Sequence, residues 1–67
     1  MAILIPLREA REKAGITQVA LAKQTGLSQA HISYLERFPS RPSYRTVERL
    51  AYVLKVKPSM LHFGPAL

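Results

Sequence analysis

The residues best suited to chemistry in this sequence are basic, and several of them gather in one stretch. Arg37, Arg41 and Arg45 lie close together, with Ser40 and Ser43 between them. Cations in such a cluster suit contacts to phosphate groups. The whole chain of 67 residues carries ten Lys and Arg, four Glu and no Asp, which gives a formal charge of +6. This balance predicts a polyanionic partner, usually nucleic acid for a small domain, and a merely soluble basic protein is the alternative.

Catalytic and metal-binding side chains are scarce. The chain has no cysteine, and its two histidines, His31 and His62, lack further ligands at a spacing typical of metal sites. The four glutamates are mostly placed to pair with nearby bases on helix surfaces. We therefore expect no enzyme, no cofactor and no metal site. The lack of cysteine is typical of a reducing compartment, and no apolar run is long enough to span a membrane, so we expect a cytoplasmic protein.

Short helices must position these residues. Apolar residues recur three and four positions apart, and Gly or Pro interrupts the chain about every ten residues, which excludes strands and indicates short helices. Thr17, Ser28 and Ser43 are suited to accept hydrogen bonds at helix starts. The sequence predicts one all-α domain over residues 1–67, with five helices near 6–14, 17–25, 29–37, 43–54 and 59–63.

The second and third predicted helices have the spacing of a helix-turn-helix, over residues 17–37. Gly26 permits the positive φ that the short turn requires, and Ala22 is small enough for the helices to cross closely. Ile32 and Leu35 are expected to attach the third helix to the core. Its other face carries polar or small side chains, together with one tyrosine and one long cation: Gln29, Ala30, Ser33, Tyr34 and Arg37.

Together these residues resemble the phage repressor and Cro-like helix-turn-helix proteins, also called the xenobiotic-response-element (XRE) family. The likeness covers about residues 7–61. It implies a compact five-helix, lambda-repressor-like DNA-binding domain that usually binds as a dimer and regulates transcription. The motifs that carry it are Leu7-Arg8-Glu9-Ala10-Arg11, Gly15-Ile16-Thr17-Gln18, Leu21-Ala22, Gly26-Leu27-Ser28, Ile32-Ser33, Glu36, Pro42-Ser43 and the apolar stripe from Val47 to Leu54.

The resemblance also implies roles for single residues. Gln18 would brace Gln29, whose amide can pair with adenine N6 and N7, although a solvated glutamine is the alternative. Tyr34 is bulkier than the family pattern and either reads a base or packs against the sugar-phosphate backbone. The residues implied to read bases are Gln29, Ala30, Ser33 and Tyr34, and those implied to contact phosphate are Thr17, Gln18, His31, Arg37, Ser40, Arg41, Ser43 and Arg45.

Two further expectations concern the third helix. Arg11 and Glu36 stand where the family pairs arginine with glutamate in a partly buried structural ion pair. Many members also have a glycine soon after this glutamate, whereas this chain continues with Arg37-Phe38-Pro39. Because proline pushes Phe38 toward an extended conformation, we expect the helix to end differently and the following loop to be stiffer.

The sequence finally predicts how the domain is used. Met60, Leu61, Phe63 and Leu67 crowd the C-terminus, and one small monomer is expected to have too little core to cover them, which favours a homodimer. Residues 1–5 form an arm or an intersubunit strand, or fray. We expect a repressor-like regulator that binds a pseudo-palindromic site on double-stranded DNA. The alternative is an antitoxin or accessory protein whose main role is to bind a protein partner.

Overall fold

Four α-helices make up most of the chain in the computed structural model, which describes residues 3–66. They are α1 (Leu7–Lys13), α2 (Gln18–Thr25), α3 (Gln29–Arg37) and α4 (Tyr44–Leu54). Two short extended segments complete the fold. They are β1 (Ile5–Pro6) and, after a 3-10 turn at Pro58–Met60, β2 (Leu61–His62).

Hydroxyl side chains begin three of the helices, as the sequence predicts. Thr17 Oγ1 accepts from the Ala20 amide at 3.0 Å, and Ser28 Oγ accepts from the His31 amide at 3.0 Å. Ser43 Oγ accepts from the Thr46 amide at 3.3 Å. Each bond satisfies one of the amide groups that a helix leaves unpaired in its first turn. The predicted bounds of the first four helices are correct to within one residue.

The predicted fifth helix is wrong, and so is the exclusion of strands. In place of a helix near residues 59–63, the chain makes one 3-10 turn and then pairs in parallel with β1, Ile5 opposite Leu61 and Pro6 opposite His62. The segment is extended and not helical because the pairing with β1 lets its apolar side chains pack in the core. The pairing places Leu61 and Phe63 in the core, where they are 7% and 9% exposed.

This packing corrects the premise of the predicted dimer surface. Leu61 and Phe63 are covered by their own chain, so the core of the monomer is large enough to bury both side chains. Met60 is half-buried, and Leu67 lies outside the described residues. The N-terminal prediction changes in the same way, because Ile5 pairs with β2 of its own chain. Before it, Ile3 and Leu4 are exposed, and Met1 and Ala2 lie outside the described residues.

The core lies between all four helices. α2 packs against α3 and α4, and α1 packs against α3 and β2. Ile32 and Leu35 attach α3 to this core, as the sequence predicts. In residues 3–66, no helix has the length and hydropathy needed to cross a bilayer. The largest fully buried side chains are Leu7, Leu21, Ile32, Leu35 and Leu50.

Candidate nucleic-acid interface

The solvent face of α3 is the best-defined candidate surface. Ile32 is fully buried and Leu35 is 2% exposed, which turns the opposite side of the helix outward. Tyr34 is half exposed on that side, and Ser33 is partly buried at its margin. The other predicted base-reading residues, Gln29 and Ala30, are exposed in the first turn of α3, as are His31 next to them and Arg37 at the end of the helix.

A chain of side-chain hydrogen bonds joins the start of α3 to α2 and α1. Gln29 Nε2 lies 3.5 Å from Gln18 Oε1, a long contact, and Gln18 Nε2 donates to Glu36 Oε1 at 3.1 Å. The structure thus brings together the two glutamines that the sequence analysis pairs. Because one end of the Gln18 amide is bound to Glu36, its oxygen faces Gln29 and limits the orientation of that side chain.

Arg11 and Glu36 form the other end of this chain. Arg11 Nε and Nη2 donate to the two carboxylate oxygens of Glu36 at 2.6 and 3.3 Å, a bidentate pair. The side chains are 12% and 3% exposed. The hydrogen bond to Glu36 raises the pKa of Arg11 above its usual value, against the lowering effect of burial. Arg11 Nη1 also donates to the Ile16 carbonyl at 2.9 Å, so this network fixes α3 relative to α1 and to the start of α2.

An aromatic pair extends the outer face of α3 beyond its last turn. The rings of Tyr34 and Phe38 lie 5.0 Å apart at an angle of 35°, and the Arg37 guanidinium lies 5.2 Å from the centre of the Phe38 ring. Phe38 is 44% exposed and was not among the predicted contact residues. Its position four residues after Tyr34 is the signal that could have identified it.

The predicted phosphate-contacting residues fall into two groups. Arg37, Arg41 and Arg45 are exposed and form no ion pair with any residue from 3 to 66. Their charges are therefore available to a ligand.

The predicted hydroxyl contacts are less available. The predicted phosphate contact of Ser40 is corrected, because its hydroxyl oxygen is shielded from solvent and has no hydrogen-bond partner within residues 3–66. Ser40 lies beside the C-terminal segment, since Leu61 and Phe63 line the same surface groove. Ser43 donates its hydroxyl proton to Thr46 Oγ1 and caps α4, while Thr17 is exposed and caps α2.

The end of α3 depends on a residue that the sequence analysis did not single out. The Gly64 amide donates to the Leu35 carbonyl at 2.8 Å. Pro39 has no N–H, and this is the signal that the last turn of α3 needs a donor from elsewhere. The sequence did not indicate which segment supplies it.

The two histidines lie in different elements of the fold. His31 is exposed in the first turn of α3, whereas His62 lies in β2 with Nε2 3.1 Å from the Pro65 carbonyl oxygen. Across the described part of the chain, no three His or Glu side chains come close enough to bind a metal ion.

Comparison with known proteins agrees with this geometry. The family model described as helix-turn-helix matches residues 7–61, which include all four α-helices and the basic stretch between α3 and α4. No curated protein and no solved structure gives a significant match. Since the match covers most of the chain, the protein belongs to the helix-turn-helix family, among its XRE/Cro-like DNA-binding members.

Proposed function

We propose that the protein is a sequence-specific, repressor-like regulator of transcription in the cytoplasm. In this proposal α2 and α3 are its helix-turn-helix, and α3 enters the major groove of double-stranded DNA. The observation that carries the proposal is the exposed polar face of α3 beside three arginines that form no ion pair within residues 3–66. A major groove about 12 Å wide admits one helix, and the flanking backbone then lies within reach of cations beside that helix.

The first turn of α3 is assigned to base reading. Gln29 is exposed there, and its contact with Gln18 favours an orientation in which the amide can pair with adenine. Ala30 offers a methyl group to thymine, and Ser33 and Tyr34 lie farther along the same face. These contacts would supply specificity without any chemical step.

The basic residues are assigned to the sugar-phosphate backbone. Arg41 and Arg45 are the main proposed phosphate contacts, since both are exposed and neither forms an ion pair with a described residue. Contacts of this kind do not depend on sequence, and they release counterions, so binding weakens as salt rises. Affinity and specificity are therefore assigned to different residues.

The proposed site is pseudo-palindromic and is bound by two copies of the chain. Two recognition helices would then lie about 34 Å apart, one turn of the duplex. With Leu61 and Phe63 buried, the dimer surface is expected to involve Met60, which is half-buried, and other exposed residues.

Selection of bound duplexes from a random pool, followed by binding measurements over a salt series, tests the proposal. Gln29→Ala is expected to weaken binding to the selected duplex by about 1–3 kcal/mol and to relax preference at one base pair per half-site. Arg45→Ala is expected to weaken binding to all duplexes similarly and to make the salt slope shallower by about 0.9. Lys13→Ala, which removes an exposed cation from α1, is the control for net charge.

Three results would contradict the proposal or one of its parts. Failure of the pool to enrich any sequence, with no salt-dependent binding to duplex DNA, would favour a role in binding a protein partner. An unchanged preferred sequence for Gln29→Ala would contradict the assignment of α3 as the reader. Sedimentation of the complex is expected to give two chains per selected duplex, and one chain would contradict the dimer.

A further inference from the structure

The last turn of α3 has a missing donor. In a helix that continued, the amide of residue 39 would donate to the Leu35 carbonyl, four residues earlier. Residue 39 is proline and has no N–H, and Phe38 before it is extended, with φ −123° and ψ 137°. The Leu35 carbonyl therefore needs a donor from outside the helix.

Gly64 supplies that donor. Its amide lies 2.8 Å from the Leu35 oxygen, so it occupies the role that the Pro39 nitrogen cannot fill. Gly64 has φ +106°, which residues with a side chain rarely adopt. A Cβ at this position would lie 2.9 Å from Pro39 N and 3.1 Å from Phe38 C. Since both contacts are with backbone, which cannot rotate away, position 64 requires glycine for conformation and for space.

The segment that carries Gly64 is itself anchored. Leu61 and Phe63 are buried in the core, and β2 pairs with β1. The same segment borders the chain after α3, because one surface groove is lined by both. Its lining residues are Leu4, Pro39, Ser40, Arg41, Leu61, His62 and Phe63.

We propose that Gly64 is a positioning residue for the phosphate-binding surface. It fixes the end of α3 and, through Pro39, the course of residues 38–43, which we call the exit loop. This loop carries Arg41 and separates Arg37 from Arg45, so its course sets whether the three guanidinium groups face one stretch of DNA backbone. The inference rests on the proposed function, because duplex phosphate is the ligand that it assigns to these arginines.

The first test needs no DNA. Gly64→Ala is compared with Gly15→Ala, a matched control in which φ is also positive, at +73°, and a Cβ has nothing within 4 Å. The amide at position 64 is expected to lose protection from hydrogen exchange by about tenfold or more in Gly64→Ala. Backbone ¹⁵N relaxation is expected to show greater motion at Ser40 and Arg41 in that variant. Gly15→Ala is expected to leave both signals unchanged.

The second test measures DNA binding by the same two variants. Gly64→Ala is expected to make the salt slope shallower by about one to two units, as for loss of one or two phosphate contacts. It is expected to retain the base preference that depends on Gln29. Gly15→Ala is expected to keep the slope of the parent. An unchanged loop and slope in Gly64→Ala, or equal changes in the two variants, would overturn the inference.

Pro39→Ala provides an independent route if Gly64→Ala does not fold. It gives residue 39 an N–H that can bond to the Leu35 carbonyl and allows α3 to extend. The exit loop is therefore expected to shift although residue 64 is still glycine. A Pro39→Ala protein whose exit loop shifts, by ¹⁵N relaxation, while its salt slope stays that of the parent would overturn the inference. Parent protein that binds no duplex would contradict the proposed function instead, and loop relaxation alone would then decide whether Gly64 positions the exit loop.

Discussion

The first turn of α3 is capped by the residue next to it in sequence, whereas its last turn is bound by residues far away in the chain. The Ser28 hydroxyl accepts from the His31 amide, three residues later. In the last turn, Glu36 binds Arg11 of α1, and the Leu35 carbonyl accepts from Gly64. The start of the helix is therefore capped locally, and its end is also bound by distant segments of the chain. Stability and DNA-binding measurements can separate these two ends.

The largest effect on stability is expected from Arg11→Met. The change leaves the Glu36 carboxylate buried without its cation, which should lower the free energy of unfolding by about 3–5 kcal/mol. The urea midpoint measures this loss. Because the pKa of Arg11 is raised, the pair contributes fully below the usual arginine pKa and loses its contribution only as pH rises through the raised value. The loss should therefore not change from neutral to mildly alkaline pH.

Arg8→Met is the matched control for this prediction. Arg8 and Glu12 also form an ion pair, at 3.5 Å, but their side chains are 68% and 57% exposed. Loss of this exposed ion pair in Arg8→Met should lower the free energy of unfolding by no more than about 0.5 kcal/mol. If Arg11→Met were as stable to urea as the parent, or no less stable than Arg8→Met, the last turn of α3 would not depend on Arg11.

A smaller effect is expected at the other end of the helix. Ser28→Ala removes the side-chain acceptor of the His31 amide and should lower the free energy of unfolding by about 1 kcal/mol. Ser28→Asp keeps an acceptor and should restore most of the loss. Denaturation in urea measures all three proteins. A loss as large as that of Arg11→Met would show that the start of α3 also depends on long-range packing.

Among the changes in and next to α3, the smallest effect is expected from Phe38→Leu, at the point where the helix ends. Leucine retains apolar bulk but loses the ring contacts with Tyr34 and Arg37, a change expected to cost about 0.5–1 kcal/mol. Thermal unfolding detects a change of this size in a small domain. Because Tyr34→Leu removes the same ring pair, the double variant should lose less than the sum of the single losses. Additive losses would contradict a coupled pair.

The same comparison explains what could be predicted from the sequence. Thr17, Ser28 and Ser43 act on amides three residues away, so their sequence neighbourhood suffices to identify the helix starts. The exposed face of α3 follows as well, because Ile32 and Leu35 occupy the opposite side at helical spacing. The sequence also indicates, through Pro39, that the helix must end in an unusual way.

The remaining errors all involve contacts between distant parts of the chain. Leu61 and Phe63 lie in the core, but their apolar side chains would suit a dimer surface equally well. The sequence alone cannot distinguish these two places, because it does not show what the side chains pack against. Their burial depends on β1, whose two residues carry no strand pattern of their own. Ser40 has a hydroxyl that could contact phosphate, and only the structure shows that this hydroxyl is shielded from solvent.

The parallel pairing of β1 with β2 has a consequence for the order of folding. It closes a loop through nearly the whole domain, whereas each helix forms from contacts within a few residues. Closing a long loop is slow because chain entropy is lost before the distant contact forms. Gly64 follows β2 directly, so α3 gains the donor for its last turn only when this closure occurs. We therefore expect the exit loop to become ordered last and, in transient openings of the folded domain, to be released first.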